Sequence, residues 1–262
     1  MAYPDSKEKL TDILSLLYER QLPYKVIGGM TNLLVKDGVY NGVIIKTDKF
    51  QTKSLAEGTI SVSCGARMVS VIRSMARQGL GGMEGLAGIP GTVGGMVRQN
   101  AGAFGYEVAD RFVSAECYLP NVKRPVTLSR EDMCFAYRRS ALTDSDAVLL
   151  SATFRLSPKP PEIILASIRE LGVKRRASQP LEYPSLGSTF KRCNGQSAGF
   201  YVDRAGLKGA RIGGAEVSEK HAGFIINIGG ATADDFLKLI DLVKSRVYAV
   251  FGIELEEEIE II

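Results

Sequence analysis

Hydrophobic and polar residues follow two periods along this chain, and each period predicts a different kind of element. A helical spacing of three and four residues appears first in a group of aliphatic side chains: Leu10, Ile13, Leu14 and Leu17. This stripe is typical of a helix with one buried face and predicts a helix over residues 6–21. Asp5, with Glu8 three residues later, resembles the capping box with which many helices begin.

Shorter apolar runs predict the other elements of the first two thirds of the chain. Strands are expected in residues 24–27, 43–47, 59–64, 113–119 and 148–156, and a helix is expected over residues 68–78. Gly79 then occupies the position that often follows a helix. The segment SPKPP at residues 157–161 is the clearest candidate for a linker because prolines interrupt both kinds of element.

Beyond residue 161 the pattern predicts helices over residues 162–171 and 197–204, and a strand at the end of EVSEKHAGFIIN. A longer helix should begin at Thr232 or Asp234 and bury one face, formed by Phe236, Leu239, Ile240, Val243 and Val247. The terminal segment IELEEEIEII alternates strictly. It predicts a strand with one apolar face, formed by Ile253, Leu255, Ile259 and Ile261.

Strands and helices intermix without a regular βαβ rhythm, and this favours an α+β protein with more than one domain. The chain has 262 residues, of which 45% are hydrophobic and 24% charged, enough for an ordinary core. No apolar run is long enough to span a bilayer, and the N-terminus MAYPDSKEKL does not resemble a secretory signal. The sequence therefore predicts a cytoplasmic protein without a membrane partner.

Charge and metal-ligating residues narrow the possible functions. The net charge of +4 is mild and suits an anionic small molecule, and no basic run with interleaved aromatics indicates nucleic-acid binding. The four cysteines, Cys64, Cys117, Cys134 and Cys193, are widely spaced and predict reduced thiols rather than a metal site. A single histidine, His221, also argues against a metal centre and is expected to have a structural role.

Glycines are the most informative feature, because 28 of them occur and six lie within GIPGTVGGMVRQNAGAFG, residues 88–105, which has no acidic side chain. A second pair, Gly28 and Gly29, directly follows a predicted strand. Such segments form either structural turns or a backbone cradle that approaches a diphosphate or an isoalloxazine ring. Neither segment matches the Rossmann or phosphate-loop patterns. Two such loops among short strands favour the cradle.

Several blocks resemble one enzyme family. The segments GLAGIPGTVGGMVRQNAGAFG, FAYRRS, QPLEYPSLGSTFKR, AGLKGARIGGAEVSEKHAGFIIN and FGIELEEEIEII are similar to blocks of the UDP-N-acetylenolpyruvoylglucosamine reductases, in the same order. Together they cover most of residues 28–262. EYPSLGSTFK resembles the branch of that family with the more compact substrate domain.

The resemblance implies an α+β protein with an FAD-binding domain of two small α/β subdomains, a PCMH-type flavin fold, and a separate α+β substrate-binding domain. The first subdomain would cover residues 1–52, with the C-terminal strand 253–262 near the active site. The second would cover residues 53–157, and the substrate-binding domain residues 158–252. A monomer is expected.

The implied reaction reduces UDP-N-acetylglucosamine enolpyruvate to UDP-N-acetylmuramate with FAD and NADPH, in the synthesis of peptidoglycan precursors. Hydride reaches the methylene carbon of the enolpyruvyl group, so negative charge develops on the α carbon and its carboxylate. The family's proton-donating serine falls on Ser188, a general-acid role that depends on position. Its arginine falls on Arg138, whose fixed charge suits a carboxylate, and its glutamate falls on Glu258.

The same resemblance implies the binding residues. FAD would be held by two segments, with contacts from Gly28, Gly29, Thr31, Asn32, Gly88, Pro90, Gly91, Thr92, Gly94, Gly95, Asn100 and Gly102. The substrate would contact Tyr137, Lys191 and Arg192, the last two because a diphosphate needs compensating charge. Periodicity alone gives another interpretation of Glu258, as one member of a solvated acidic row with Glu254, Glu256 and Glu260.

Three departures from the family pattern carry expectations of their own. Members of the family usually have an additional N-terminal strand with a GGPA-like turn, which helps form the FAD cleft. Because no segment of this sequence corresponds to that strand, we expect a trimmed cleft that binds flavin less tightly. Met30 and Thr31 stand where the family tends to have a third glycine and a serine. Phe200 and Tyr201 stand where a basic residue and a leucine are usual.

These departures keep two alternatives open besides a working reductase. One is a degenerate, non-catalytic relative that binds a UDP sugar or flavin. The other is a flavoenzyme of the same fold with another substrate. Retention of Ser188, Arg138 and Glu258 favours the reductase.

Overall fold

The computed structural model describes residues 1–262, which form two compact units. The first unit combines Met1–Gly29 with Tyr40–Gly172, and the second combines Met30–Val39 with Val173–Ile262. The α-helices are α1 (Lys7–Glu19), α2 (Met68–Arg77), α3 (Val93–Arg98), α4 (Pro161–Ser178), α5 (Ala198–Arg204) and α6 (Ala233–Phe251).

Seventeen short strands accompany these helices. They are β1 (Tyr24–Ile27), β2 (Leu33–Leu34), β3 (Val43–Lys46), β4 (Lys53–Ala56), β5 (Thr59–Ser63), β6 (Leu80–Gly81), β7 (Gly102–Ala103), β8 (Tyr106–Glu107), β9 (Phe112–Leu119), β10 (Arg124–Ser129), β11 (Val148–Arg155), β12 (Ser157–Pro158), β13 (Ser185–Ser188), β14 (Arg211–Ile212), β15 (Ala215–Val217), β16 (Phe224–Asn227) and β17 (Glu260–Ile261). Two 3₁₀ segments, Glu84–Gly88 and Val108–Asp110, complete the secondary structure.

A five-stranded antiparallel sheet forms the centre of the first unit, in the order β10-β9-β11-β5-β4. Strands β1 and β3 form a separate parallel pair. Helix α2 buries one face in the unit's core, including Met68, Ile72 and Met75, because its apolar residues recur at helical spacing. The predicted strands over residues 113–119 and 148–156 correspond to β9 and β11, and each differs from its prediction by one residue at an end.

Helix α1 confirms the predicted helix but not its predicted cap. The Oγ of Ser6 accepts a hydrogen bond from the Lys9 backbone N–H at 3.2 Å, and Ser6 has extended backbone angles, so Ser6 is the N-cap. Asp5 lies one residue too early for that role and instead pairs with the Lys9 ammonium at 2.8 Å. The proposed capping box of Asp5 and Glu8 is therefore wrong.

The prolines at residues 157–161 do not form a free linker, contrary to the sequence-based prediction. Strand β12 pairs with β6 through Ser157 and Gly81, so the segment belongs to the first unit. Helix α4 then begins at Pro161, where a proline is tolerated because the first helical N–H needs no partner. The chain passes to the second unit between Gly172 and Val173, inside this helix.

The second unit is built on a four-stranded antiparallel sheet in the order β13-β16-β15-β14. Helix α6 contributes the predicted apolar face to its core, and all five predicted residues are buried. Thr232 is its N-cap and forms a capping box with Asp235, in which each side chain accepts a hydrogen bond from the other's backbone N–H. Of the two caps considered, Thr232 is thus the correct one.

The C-terminal segment is extended, but the ten-residue strand predicted there is wrong for most of its length. Only Glu260–Ile261 forms a ladder, parallel to β2. The alternation itself is confirmed, since Leu255 and Ile259 are buried in the core of the second unit and Ile253 and Ile261 pack against it. Helices and strands are mixed in both units, as an α+β fold requires; the assignment of functional domains to particular ranges remains a prediction.

Candidate active site

Two glycine segments meet in the first unit. Strand β1 ends at Ile27, and a Cβ atom added to Gly28 would lie 2.1 Å from Oγ1 of Thr92. Only a residue without a side chain permits this approach. The two segments that the sequence predicted to cradle flavin, residues 24–35 and 88–105, are therefore in direct contact at Gly28 and Thr92.

The backbone around this contact is accessible at several glycines. Gly29 and Gly95 are exposed, and the nearest atom to a Cβ added at Gly95 is Oγ1 of Thr92, at 3.8 Å. Thr92 itself is buried, and its Oγ1 accepts a hydrogen bond from the Gly95 N–H as the N-cap of α3. Bare, accessible main chain held by a rigid cap fits a flat ring or a diphosphate, so these residues fit FAD.

Replacing Gly28 by Ala should destabilise the first unit. The added methyl group overlaps Thr92, and such overpacking costs about 1–3 kcal/mol. Thr92→Ala removes the overlapping Oγ1. The double variant, which combines Gly28→Ala with Thr92→Ala, should therefore be more stable than the sum of the two single effects predicts. Denaturant unfolding of the four proteins measures this coupling. Gly95→Ala is the matched control because a Cβ there would lie at an ordinary contact distance, 3.8 Å, from the same Oγ1 of Thr92. Additive single effects of Gly28→Ala and Thr92→Ala would contradict the prediction.

Asn100 follows α3 and is 1% exposed, with its side chain bonded to three groups of the protein. Its Nδ2 donates to Oε2 of Glu107 and to the carbonyl of Ala136, both at 3.0 Å. Its Oδ1 accepts from the backbone N–H of Ala109 at 3.0 Å. The residue predicted to contact flavin thus connects the end of the glycine-rich stretch to the segment that precedes Arg138.

Tyr137 and Arg138 form the tip of a tight turn whose ends, Ala136 and Arg139, exchange two backbone hydrogen bonds of 3.0 and 3.1 Å. Arg138 has a φ of 54°, a left-handed conformation that type II turns require at their third position and that favours glycine. Its Nη2 donates to the Gly102 carbonyl at 3.3 Å, and its guanidinium carbon lies 5.0 Å from the centre of the Tyr137 ring. The side chain is thereby directed along the glycine-rich stretch.

Ser188 ends strand β13 in the second unit, opposite Phe224 of β16, and it is partly buried. The next residue, Thr189, fixes this end of the strand. It is 3% exposed, its N–H donates to the Gly223 carbonyl at 2.8 Å, and its Oγ1 accepts from the Ile225 N–H at 3.2 Å. Sequence reasoning missed Thr189, for which the only signal was its place in the LGST block.

Glu258 lies beside this strand end. Its N–H donates to the Thr189 carbonyl at 2.8 Å, and its own carbonyl accepts from Nδ2 of Asn32 at 3.0 Å. The Asn32 carbonyl in turn accepts from the Glu260 N–H at 2.9 Å. The second unit therefore brings three predicted site residues together, Ser188, Asn32 and Glu258, although they are far apart in the sequence. Arg138 and Tyr137 belong to the first unit.

The acidic residues next to Glu258 do not form a uniformly solvated row. Glu257 pairs with Nζ of Lys244 at 2.7 Å, and Glu256 pairs with Nζ of Lys191. Lys191, predicted to bind the substrate, therefore already has a carboxylate partner, and the more exposed Arg192 follows it directly. Glu258 is partly buried, whereas Glu254 and Glu256 are exposed, and this difference favours a separate role for Glu258.

Met30 adopts the backbone conformation of a glycine. Its φ is 55°, which L residues other than Asn and Asp rarely adopt, and its side chain is 40% exposed. The substitution noted in the sequence therefore keeps the turn but adds a side chain at its surface. Thr31 follows it and is partly buried. Among the other residues predicted to hold FAD, Gly88 ends the 3₁₀ segment, Pro90 and Gly91 precede Thr92, and Gly102 begins β7.

No catalytic or cofactor-binding role is predicted for His221 or the cysteines. Burial lowers the pKa of His221, and its Nδ1 accepts from the Gly223 N–H at 3.1 Å, so the neutral form braces that loop. Burial raises the pKa of the Cys64 and Cys117 thiols to about 12, and all four cysteines are free. The side chains that could ligate a metal form no cluster of three or more, and the helices include none with the length and apolarity that crossing a membrane requires.

Comparisons with known proteins agree with this organisation. A model described as "UDP-N-acetylenolpyruvoylglucosamine reductase, C-terminal domain" matches residues 179–262, and one described as "FAD binding domain" matches residues 1–123. The UDP-N-acetylenolpyruvoylglucosamine reductase of Caldicellulosiruptor bescii is 47% identical over all of this chain and 84% of its own length. The enzyme of the same name from Lactobacillus johnsonii is 40% identical over all of this chain and 87% of its own length.

A solved structure extends the similarity to the fold. The crystal structure of UDP-N-acetylenolpyruvylglucosamine reductase from Thermus caldophilus matches with a TM-score of 0.84 and 34% identity, over 99% of this chain and 90% of that one. The expected α+β fold with an FAD-binding domain and a separate domain is thus confirmed. Since sequence identity of 40–47% extends over the whole chain, the chain belongs to the family of UDP-N-acetylenolpyruvoylglucosamine reductases.

Proposed function

We propose that this protein reduces the enolpyruvyl ether of UDP-N-acetylglucosamine enolpyruvate to give UDP-N-acetylmuramate, with Ser188, Arg138 and Glu258 at the reacting group. Family membership makes it a flavin-dependent oxidoreductase that binds FAD and is reduced by NADPH. The observation that carries the assignment of residues is the 2.8 Å hydrogen bond from the Glu258 N–H to the Thr189 carbonyl. It brings the predicted glutamate next to the predicted proton donor, Ser188.

FAD, when bound, supplies the hydride that reaches the methylene carbon of the substrate. Addition of hydride and one proton saturates the double bond, and the proton must reach the α carbon. Ser188 is the proposed donor because it ends β13, where the N–H and the Oγ1 of Thr189 both form hydrogen bonds with neighbouring main chain. An alcohol is a weak acid, so its contribution depends on position and on a polarising neighbour. Glu258 is proposed as that neighbour.

Arg138 is proposed to bind the carboxylate on which negative charge accumulates during the reaction. A guanidinium carries a fixed positive charge and offers two parallel N–H donors to two oxygens. The charge is in place before the reaction, so its stabilising effect needs no reorganisation of the site. The adjacent Tyr137, a residue that is 42% exposed, is proposed to contact the substrate.

The remaining binding roles follow from the fit of the glycine segments and from charge. Gly29 and Gly95 are proposed to hold FAD through accessible main chain, and Gly28, Thr92 and the other glycines of residues 88–102 are proposed to shape the cradle around it. Lys191 and Arg192 are proposed to meet the diphosphate, and Lys191 would exchange Glu256 for it. The modest charge of +4 suits such a substrate, and we propose a cytoplasmic monomer that binds neither nucleic acid nor membranes.

A steady-state assay of NADPH consumption tests the proposed function. The purified protein, reconstituted with FAD, should oxidise NADPH only when UDP-N-acetylglucosamine enolpyruvate is added, and one UDP-N-acetylmuramate should form per NADPH. UDP-N-acetylglucosamine, which lacks the enolpyruvyl group, is the control substrate. A protein that binds FAD but is inactive would support the degenerate relative, and activity with another unsaturated acid alone would support a flavoenzyme with a different substrate.

A further inference from the structure

We infer that Asn100 is a positioning residue that holds the Tyr137–Arg138 turn, rather than a contact of the cofactor. The inference rests on the proposed function in one respect, that Arg138 binds the carboxylate of the substrate. Its structural part rests only on contacts within the first unit. Asn100 lies two residues after helix α3, and Ala136 begins the turn that carries Arg138. The side chain of Asn100 therefore joins these two parts of the sequence.

The donors of the Asn100 amide are both used inside the protein. One N–H reaches Oε2 of Glu107 and the other reaches the Ala136 carbonyl, each at 3.0 Å. An asparagine amide has two N–H donors, so neither remains for a ligand. The carbonyl of the amide accepts from the Ala109 N–H at 3.0 Å, which also fixes which end of the amide is oxygen. With 1% of its surface exposed, this side chain is enclosed by the protein.

The hydrogen bond from Asn100 to the Ala136 carbonyl fixes the backbone of the turn that carries Arg138. Ala136 pairs with Arg139 on both sides of the turn, so holding the Ala136 carbonyl fixes the base of a four-residue loop. Arg138 also reaches back to the Gly102 carbonyl, two residues after Asn100. Arg138 is thus held to the glycine-rich stretch by two contacts. Asn100 holds the backbone of its turn, and the Gly102 carbonyl accepts a hydrogen bond from its guanidinium.

Unusual backbone conformations concentrate in this region. Of the nine residues other than glycine with positive φ, four lie here: Asn100 at 39°, Phe104 at 56°, Cys134 at 44° and Arg138 at 54°. Such conformations persist only where surrounding contacts determine them, and they are common at functional sites. Asparagine tolerates positive φ better than most residues, which explains why one residue can meet both the backbone and the side-chain requirement at position 100.

Asn100→Asp tests the inference with almost no change in shape. The new carboxylate replaces two N–H donors and faces Oε2 of Glu107 and the Ala136 carbonyl at their present 3.0 Å separations, so two attractive contacts become repulsive. Asn194→Asp is the matched control. Asn194 also has positive φ, at 48°, but its side chain is exposed, so the same chemical change should have no effect there.

Four measurements on the FAD-loaded protein separate positioning from cofactor binding. Hydrogen exchange at residues 133–140 should become faster in Asn100→Asp and stay unchanged in Asn194→Asp. FAD affinity and the rate of flavin reduction by NADPH should remain within about twofold of the parent. The value of kcat/KM for the enolpyruvyl substrate should fall about 10²-fold, since a shift of about 1 Å in a positioning group has effects of that size.

A second substitution should rescue the first. Gln at position 107 can donate an N–H to the carboxylate of Asp at position 100, so Asn100→Asp with Glu107→Gln should recover part of the lost exchange protection and part of the lost kcat/KM. If Asn100→Asp does not fold, Asn100→Gly is used instead. Glycine accepts the same φ and removes the same hydrogen bonds, and the same results are expected.

Loss of FAD affinity in the folded variant would overturn the inference, whether or not the turn loosens, because it would make Asn100 a cofactor contact. Unchanged exchange at residues 133–140 would also overturn it. Failure of the proposed function is distinguishable from both results. A parent protein that is inactive with the substrate refutes the proposed reaction, while the exchange measurement still decides whether Asn100 holds the turn.

Discussion

Replacing Ser188 by Ala is expected to lower kcat about 10²- to 10⁴-fold, the usual contribution of a positioned proton donor. The substitution removes only the Oγ atom, and the backbone hydrogen bond at this strand end joins the Thr189 N–H to the Gly223 carbonyl, so the fold should be retained. Reduction of the bound flavin by NADPH should be unaffected because it precedes proton delivery to the substrate. Stopped-flow absorbance of the flavin separates the two half-reactions.

The control for this experiment lies on the same strand. Ser185 is also partly buried, faces Ile226 of the same neighbouring strand, and is three residues from Ser188. Ser185→Ala should therefore leave both half-reactions within about twofold of the parent, as expected of a position without a catalytic group. Equal turnover in Ser188→Ala and the parent would show that another group delivers the proton and would refute the assignment.

Replacing Arg138 is expected to reduce kcat/KM by about 10²- to 10³-fold, the loss typical of removing one electrostatic contact to developing charge. The structure adds a second expectation about stability. Both Arg138→Ala and Arg138→Gly remove the guanidinium, but only glycine adopts a φ of 54° without steric cost. The Gly variant should be more stable than the Ala variant by about 1 kcal/mol. A left-handed conformation costs alanine about 1–2 kcal/mol, and the greater conformational entropy that glycine loses on folding offsets part of this difference.

Arg139→Ala is the matched control for the loss of activity. Arg139 is the next residue in the same turn, and its side chain is 64% exposed and pairs with Asp144 at the surface. Its replacement should change kcat/KM little, because exposed ion pairs contribute less than about 1 kcal/mol. Turnover assays and thermal unfolding of the three variants make the comparison. Equal stability of Arg138→Ala and Arg138→Gly would show that the turn relaxes when the side chain is lost.

The sequence determined the elements whose signal is local. Apolar residues at helical spacing predicted α1, α2 and the buried face of α6, because a helix that packs on a core must repeat its apolar residues with that period. Ordered blocks with specific residues identified the family, and comparison with whole-length relatives confirms it. Local sequence propensity gave a wrong prediction where tertiary contacts determine the structure of a segment. The prolines of residues 157–161 belong to a strand and a helix start, since pairing with β6 occupies the segment.

Only the tertiary structure decided which site residues share a neighbourhood. Ser188, Asn32 and Glu258 meet through hydrogen bonds between segments separated by as many as 226 residues, and no local pattern carries that information. The same holds for Asn100, which resembles a flavin contact in the sequence but directs both of its N–H donors into the protein. Local periodicity records the face that an element buries, whereas the partner of a polar group depends on chain segments that only folding brings together.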